Sequence, residues 1–147
     1  MNEGQQRCEF DPAALVPRVD LTLPGDIKAI APAVEKIMGS IREMGCAAGK
    51  EFEIEVALHE ALANAVQHGC ANDPGKSVEV WAGCDHDRGV LIVVRDPGPG
   101  FDPSQVPSPV VGEQIYSEGG RGIYLINRLM DDVQFERGGT EIWMSKR

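Results

Sequence analysis

Hydrophobic and polar residues alternate at the start of the chain and then change to a helical period. The segment RVDLTLP (Arg18–Pro24) alternates in the way that a half-buried strand does. From Asp26 onward, apolar residues recur at helical spacing until Gly45 ends the pattern. The residues of this apolar face are Ile27, Ile30, Ala31, Val34, Ile37, Met38 and Ile41. The pattern predicts a strand followed by an amphipathic helix.

A second helix is predicted from Glu51 to about His68, and Gly69 stands where a C-terminal cap is expected. Its apolar face is made by Ile54, Leu58, Ala61, Leu62 and Ala65. Two strand patterns follow, SVEVWAGC and GVLIVVRD, joined by the hairpin-like turn DHDRG. Because GVLIVVRD is almost entirely apolar, it is predicted to lie at the centre of a sheet with both sides covered.

The rest of the chain contains a long irregular segment, a third helix and a hairpin. Residues from Pro97 to about Gly119 are rich in proline and glycine, which is typical of a functional loop. GIYLINRLMDDV is predicted to be a helix, and VQFERGGTEIWMS a hairpin that turns at Gly138 and Gly139. The order of elements predicts an α+β two-layer sandwich, with helices on one face of a mixed, mostly antiparallel sheet.

Length and charge restrict the function classes. The 147 residues suit one domain, which we assign to residues 18–147, with residues 1–17 as a flexible tail. A net charge of −9 with scattered basic residues argues against direct nucleic-acid or membrane binding. No apolar stretch is long enough to span a bilayer, and the first residues do not resemble a signal peptide. The four widely spaced cysteines are expected to be reduced thiols in a cytoplasmic protein.

Two polar residues lie beside the apolar face of the second helix. Glu60 and Asn64 are four positions apart and therefore share a helix face. Taken alone, the pair favours a position at the solvent boundary. An amide oxygen can also ligate a hard cation, and an acid can accept a proton or order a water molecule, so the pair can also serve a metal-phosphate site.

Two glycine-containing segments add to this pair. Asp96 ends the central strand and is followed by Gly98 and Gly100, while Gly119, Gly120 and Gly122 precede the third helix. Main-chain N–H groups at the start of a helix attract phosphate, and glycines allow a close approach. Each glycine pattern is weak evidence by itself. Together, and in this order, the three segments are much stronger evidence for a site that binds phosphate.

The segments resemble the motifs of a known family. HEALANAVQHG resembles the N box of the GHKL ATPases, DPGPGFD the G1 box, and GGRGIYLINRLMDDV the G2 box. The short single domain is most similar to the anti-sigma-factor serine kinases of that group, and the resemblance runs from about Leu21 to the C-terminus. It implies the Bergerat ATP-binding fold, with ATP and Mg²⁺ as ligands.

The resemblance also implies roles for the residues near the base and the metal. Asp96 would accept a hydrogen bond from the adenine amine, and Gly98 and Gly100 would let the main chain approach the base and sugar. Thr140 would support the adenine end through its hydroxyl. Asn64 would bind Mg²⁺ through its side-chain oxygen, and Glu60 would be the general base or would position the attacking hydroxyl.

At the phosphate end, the resemblance implies that Gly120, Arg121, Gly122 and Ile123 lie over the phosphates. Arg121 would offset negative charge there. The segment from Pro103 to Gly119 would be the ATP lid.

The function implied is an ATP-dependent serine/threonine protein kinase that is also an anti-sigma factor. It would sequester a sigma factor, phosphorylate a STAS-type anti-anti-sigma antagonist on serine, and form a homodimer. The alternatives are an ATP- or ADP-binding switch without kinase activity and a detached catalytic domain like that of histidine kinases. An interaction domain with no nucleotide site would require three ordered motifs to coincide by chance.

Overall fold

The computed structural model describes residues 18–85, 89–100 and 118–147. The elements follow the predicted order. They are β1 (Arg18–Pro24), α1 (Ile30–Met44), α2 (Glu51–Asn64), β2 (Ser77–Asp85), β3 (Gly89–Arg95), α3 (Glu118–Leu129), β4 (Asp132–Glu136) and β5 (Glu141–Lys146). Short turns of other helix types precede α1 (Ile27–Ala29), extend α2 (Ala65–Gly69) and join β4 to β5 (Arg137–Gly139).

The described strands form one sheet in the order β1-β2-β3-β5-β4, and every described pairing is antiparallel. Strand β5 lies between β3 and β4, although β4 precedes it in the chain. The turn between β4 and β5 contains Gly138 and Gly139, both with positive φ, as predicted for this hairpin.

Specific groups cap the short turn that precedes α1 and the end of α1 itself. The carboxylate of Asp26 accepts a hydrogen bond of 2.9 Å from the main-chain N–H of Lys28, at the start of the helical segment. Gly45 adopts a left-handed conformation with φ of 79° and donates to the carbonyls of Ile41 and Arg42. The residues between these caps bury one face: Ile30, Ala33, Val34, Ile37, Met38 and Ile41.

One hydrophobic core joins the three described α-helices to one face of the sheet. The core includes Ile37 of α1, Leu58 of α2, Ile126 of α3 and alternate strand residues such as Val80 and Ile92. The opposite sheet face holds Leu91 with Trp143, so both faces of β3 are buried as predicted. The α+β two-layer fold with helices on one face is therefore confirmed.

Charged groups extend the packing of the helix-free face. Arg95 lies over the ring of Trp81 at 4.9 Å from the centroid, and its Nε donates to Glu141 over 2.7 Å. The indole N–H of Trp143 donates to the second oxygen of Glu141, also over 2.7 Å. Glu141 is only 4% exposed. Burial of this carboxylate is balanced by the cation and the two donors around it.

The structure corrects two sequence-based predictions. Cys46 and Cys84 form a disulfide with Cα atoms 6.2 Å apart, so the expectation that these two are free thiols is wrong. Cys70 is free and buried, and Cys8 lies outside the described residues. Helix α3 begins at Glu118, so Gly119, Gly120 and Gly122 lie inside the helix and do not precede it. None of the described helices is long and apolar enough to cross a membrane.

Candidate functional site

Four of the predicted site residues lie at one end of the sheet: Asp96, Gly98, Gly100 and Thr140. Asp96 directly follows β3, Thr140 directly precedes β5, and these two strands are antiparallel neighbours. The turn that extends α2 brings Gly69 against Asp96, and Glu60 and Asn64 precede that turn on the same helix.

Glu60 and Asn64 face the backbone of α3 at Gly122. A Cβ atom built on Gly122 would lie 3.1 Å from Asn64 Nδ2 and 3.1 Å from Glu60 Oε1. Because such distances are tighter than ordinary contacts, a side chain at position 122 would displace the acid or the amide. Gly122 is buried, whereas Glu60 and Asn64 are partly exposed. The N box and the G2 box are thus brought together by the packing of α2 on α3.

Asp96 is fixed by two main-chain hydrogen bonds. Its own N–H donates to the carbonyl of Thr140 over 2.9 Å, and its Oδ1 accepts from the N–H of Gly98 over 2.8 Å. Burial raises the pKa of the Asp96 carboxyl, and the hydrogen bond from Gly98 opposes that rise. Among the described residues, no donor is bonded to Oδ2. The carboxylate therefore retains an acceptor oxygen for a ligand.

The glycines beside Asp96 are required by the packing of the chain itself. A Cβ on Gly98 would lie 2.6 Å from the carbonyl oxygen of Gly69 and 2.7 Å from its Cα. A Cβ on Gly69 would overlap the carboxyl group of Asp96. Gly69, Asp96 and Gly98 therefore interlock without space for a side chain at either glycine.

Gly100 meets the turn between β4 and β5. Its φ is +77°, and a Cβ there would overlap the carbonyl oxygen of Gly138 and lie 3.3 Å from Thr140 Cγ2. The hydroxyl of Thr140 donates to the carbonyl of Arg137 over 2.9 Å. The segment after Asp96 is therefore packed against the residues that enter β5, which places Gly100 beside Thr140.

The phosphate end of the predicted site is described only in part. Gly120, Arg121 and Ile123 lie in the first two turns of α3, and Ile123 is partly buried. The side chain of Arg121 lies outside the described residues, as does most of the predicted lid, from 103 to 117. Gly119, assigned to the lid from sequence, belongs to α3.

The described donor groups suit a cation that is also held by a ligand. No group of three or more histidine, cysteine or acidic side chains within residues 18–85, 89–100 and 118–147 forms a metal cluster. Glu60 and Asn64 offer hard oxygen donors, but too few for a closed site. Mg²⁺ commonly binds through one or two protein oxygens together with phosphates and water, so the pair fits this ion when phosphate is present.

Sequence reasoning assigned Gly69 to a helix cap and gave Cys70 no role, yet both lie against the site. The last turn of α2 is widened, because the N–H of Cys70 bonds to the carbonyl of Ala65 over 2.9 Å. Burial, and secondarily the charge of Asp96, raise the pKa of the Cys70 thiol. In the sequence, the glycine at position 69 was the only local indication of this contact, because packing against Asp96 does not alter the hydrophobic periodicity.

Comparisons with known proteins agree with this geometry. A family model described as a histidine kinase-like ATPase domain matches residues 23–146. The serine-protein kinase RsbW of Bacillus subtilis (strain 168) is 29% identical over 137 residues, which cover 87% of this chain and 84% of the relative. RsbW of Bacillus cereus (strain G9842) is 32% identical over 136 residues, covering 88% and 84%. RsbW of Bacillus mycoides (strain KBAB4) is also 32% identical over 136 residues, covering 88% and 84%.

Proposed function

The chain belongs to the family of histidine kinase-like ATPase domains, the GHKL group, and on that premise we propose that it is an ATP-dependent protein serine/threonine kinase and an anti-sigma factor. Relatives that cover most of the chain are named serine-protein kinases. Their name supports serine as the acceptor.

One observation supports the kinase proposal most directly. Glu60 Oε1 and the amide of Asn64 lie against the same backbone position, Gly122 of α3. An acid for the proton and an amide oxygen for a cation are thus adjacent to the helix whose first turns would cover the phosphates. A protein that only binds nucleotide would need the Asn64 amide to hold the cation, but it would not need Glu60 as a general base.

The proposed contacts with adenine depend on the fixed carboxylate of Asp96. Oδ2 of Asp96 would accept the hydrogen bond of the adenine exocyclic amine, since Oδ1 is held by Gly98. Gly98 and Gly100 would line the base and sugar with main chain, and Thr140 would support the adenine end. A site built around an N–H donor discriminates strongly against a base that lacks it.

At the other end, Asn64 would hold Mg²⁺ through Oδ1, and Gly120, Arg121, Gly122 and Ile123 would contact the phosphates. When bound, the ion supplies positive charge to the phosphates. Glu60 would accept the hydroxyl proton of the substrate serine while the Oγ atom of that serine forms a bond to the γ-phosphorus. The bond from that phosphorus to the β–γ bridging oxygen breaks, and ADP leaves.

The proposed partners are a sigma factor and a STAS-type anti-anti-sigma antagonist, bound in mutually exclusive complexes by a homodimeric, cytoplasmic protein. A phosphate on the antagonist adds about two negative charges at the interface. With the net charge of this chain at −9, phosphorylation would weaken the complex by repulsion and leave the sigma factor held.

Two measurements test the proposal. Calorimetric titration of ATP and ADP, with and without Mg²⁺, is expected to show magnesium-dependent binding. Incubation of the chain with labelled ATP and a STAS-type antagonist is expected to give an acid-stable phosphoserine on the antagonist. Acid-labile phosphate would instead identify a histidine-kinase-like catalytic domain, and binding without transfer a nucleotide switch. Absence of binding would overturn the nucleotide site.

A further inference from the structure

We propose that Gly69 is a positioning residue for base recognition: the absence of a side chain at this position allows Asp96 to hold its carboxylate toward the base. The inference rests on the proposed nucleotide site and extends it to the last residue of HEALANAVQHG, for which the family resemblance implied no role. Gly69 touches no ligand in this proposal and acts only through Asp96.

The contact between these two residues is direct. The three atoms nearest to a Cβ built on Gly69 are Cγ, Oδ1 and Cβ of Asp96, the last at 2.5 Å. Real Cβ atoms are not found so close to other heavy atoms, so Asp96 could not keep its orientation beside an alanine. The carboxylate thus lies flat against the bare Cα of Gly69.

The backbone gives no other reason for a glycine at this position. Gly69 is not among the residues with positive φ, so its conformation is open to alanine. It ends the widened turn Ala65–Gly69, where alanine would be favoured by helix propensity. The conflict introduced by a methyl group is therefore with the Asp96 side chain.

The chain next to Gly69 is closely packed as well. The following residue, Cys70, is fully buried. A Cβ on Gly25 would lie 2.6 Å from Cys70 Cβ, which shows how closely the chain after β1 approaches the helix end. A methyl group at position 69 would therefore displace Asp96 and break the 2.8 Å hydrogen bond from the Gly98 N–H to Oδ1.

The test compares ATP with inosine triphosphate, which lacks the exocyclic amine, by calorimetry in the presence of Mg²⁺. The variants are Gly69→Ala, Asp96→Asn and the double variant. Gly39→Ala is the matched control, since Gly39 also lies in a helix but a Cβ there would meet nothing within 4 Å. Gly69→Ala is expected to lose roughly 10- to 100-fold in ATP affinity, as for a lost hydrogen bond to a charged group. Its affinity for inosine triphosphate should change little.

Three results distinguish the outcomes. Gly39→Ala should match the unmodified chain, and Gly69→Ala should add no further loss of ATP affinity in the Asp96→Asn background. If Gly69→Ala lowers the melting temperature but keeps the ATP preference of the unmodified chain, the residue is only structural and the inference is overturned. If the unmodified chain binds neither nucleotide, the proposed function itself fails.

A folding measurement covers the case in which Gly69→Ala does not fold. Removing the opposing side chain, in Gly69→Ala/Asp96→Gly, takes away both the Cβ and the carboxyl group that oppose the methyl group and should restore a cooperative melting transition. A double variant that remains unfolded would place the conflict elsewhere and would overturn the inference.

Discussion

The main-chain N–H of Asp96 donates to the carbonyl of Thr140 over 2.9 Å. This bond continues the pairing of β3 with β5 by one residue beyond Arg95 and Glu141, the last pair in the register. The acid that we assign to the base is therefore held by the sheet at its main chain and by Gly98 at its side chain. Hydrogen bonds therefore fix both the main chain and the side chain of Asp96.

The first prediction concerns Asp96, whose pKa is raised chiefly by burial. A folded-state pKa above the unfolded value of about 3.9 means that the ionised carboxylate opposes folding. The stabilising contribution of Asp96 is fully present below the pKa of the unfolded state and is lost as the pH rises through the pKa of the folded state. At neutral pH, Asp96→Asn should therefore raise the melting temperature while weakening ATP binding.

The same pKa predicts the pH dependence of binding. Because adenine requires the ionised acceptor, ATP affinity of the unmodified chain should fall as the pH drops through the raised pKa. The affinity of Asp96→Asn, measured by calorimetry across the same range, should not show this step. A step of equal size in both proteins would assign the titration to another group.

The second prediction separates binding from transfer. Glu60→Gln should lower the rate of phosphoryl transfer by at least about 100-fold, the usual contribution of a general base, and leave the ATP dissociation constant nearly unchanged. Glu55→Gln is the matched control, because Glu55 is an exposed acid of the same helix. Transfer is measured as labelled phosphate on the antagonist. A full rate in Glu60→Gln would remove the catalytic role of this residue.

The third prediction compares two glycines with positive φ. Alanine at Gly138 faces open space, so Gly138→Ala should cost about 1 to 2 kcal/mol for the backbone conformation alone. Gly100→Ala carries a similar conformational cost and also overlaps the Gly138 carbonyl. It should be less stable than Gly138→Ala in urea denaturation and should bind ATP more weakly. Equal stability would show that the Gly100 segment can move away freely.

The fourth prediction concerns the carboxylate of Glu141. Glu141→Ala leaves Arg95 and the indole of Trp143 without their shared acceptor and should destabilise the fold by about 2 to 4 kcal/mol. Glu79 provides the control, since its carboxylate lies 3.8 Å from Arg95 and is half exposed. Glu79→Ala should cost less than about 1 kcal/mol. Similar losses in denaturation would contradict the distinction between the two acids.

The fifth prediction concerns the disulfide between Cys46 and Cys84, which are 38 residues apart. Reduction, or Cys46→Ser/Cys84→Ser, should lower the free energy of unfolding by about 2 to 4 kcal/mol, because the unfolded chain gains freedom. Unreduced, denatured protein should show two reactive thiols, Cys8 and Cys70, and four after reduction. Four thiols before reduction, in protein purified without reductant, would show that the bond does not form.

Periodicity was sufficient to predict the elements and their order. The helical spacing from Ile54 to Ala65 and the alternation in β2 are local properties, so they were readable without a structure. The same holds for the left-handed cap at Gly45, which only glycine adopts readily. The start of α3 at Glu118 was missed because glycines in a helix resemble a loop in sequence.

The candidate site could be predicted as a set of residues but not as a geometry. Glu60 and Asn64 are related by helix spacing, whereas their approach to Gly122 depends on how α2 packs on α3. The contact of Gly69 with Asp96 and the bond between Cys46 and Cys84 likewise join distant segments. Such contacts arise from tertiary packing, which single-sequence patterns do not record.

The position of β5 between β3 and β4 has a consequence for synthesis on the ribosome. A nascent chain that has emerged only as far as β4 contains Glu60, Asn64, Asp96 and Gly122, yet β3 still lacks its neighbour on one side. Asp96 also lacks the Thr140 carbonyl as acceptor for its N–H. The proposed nucleotide site would therefore be complete only after residues 140–146 have emerged, and we expect stabilisation by ATP to begin at that stage of cotranslational folding.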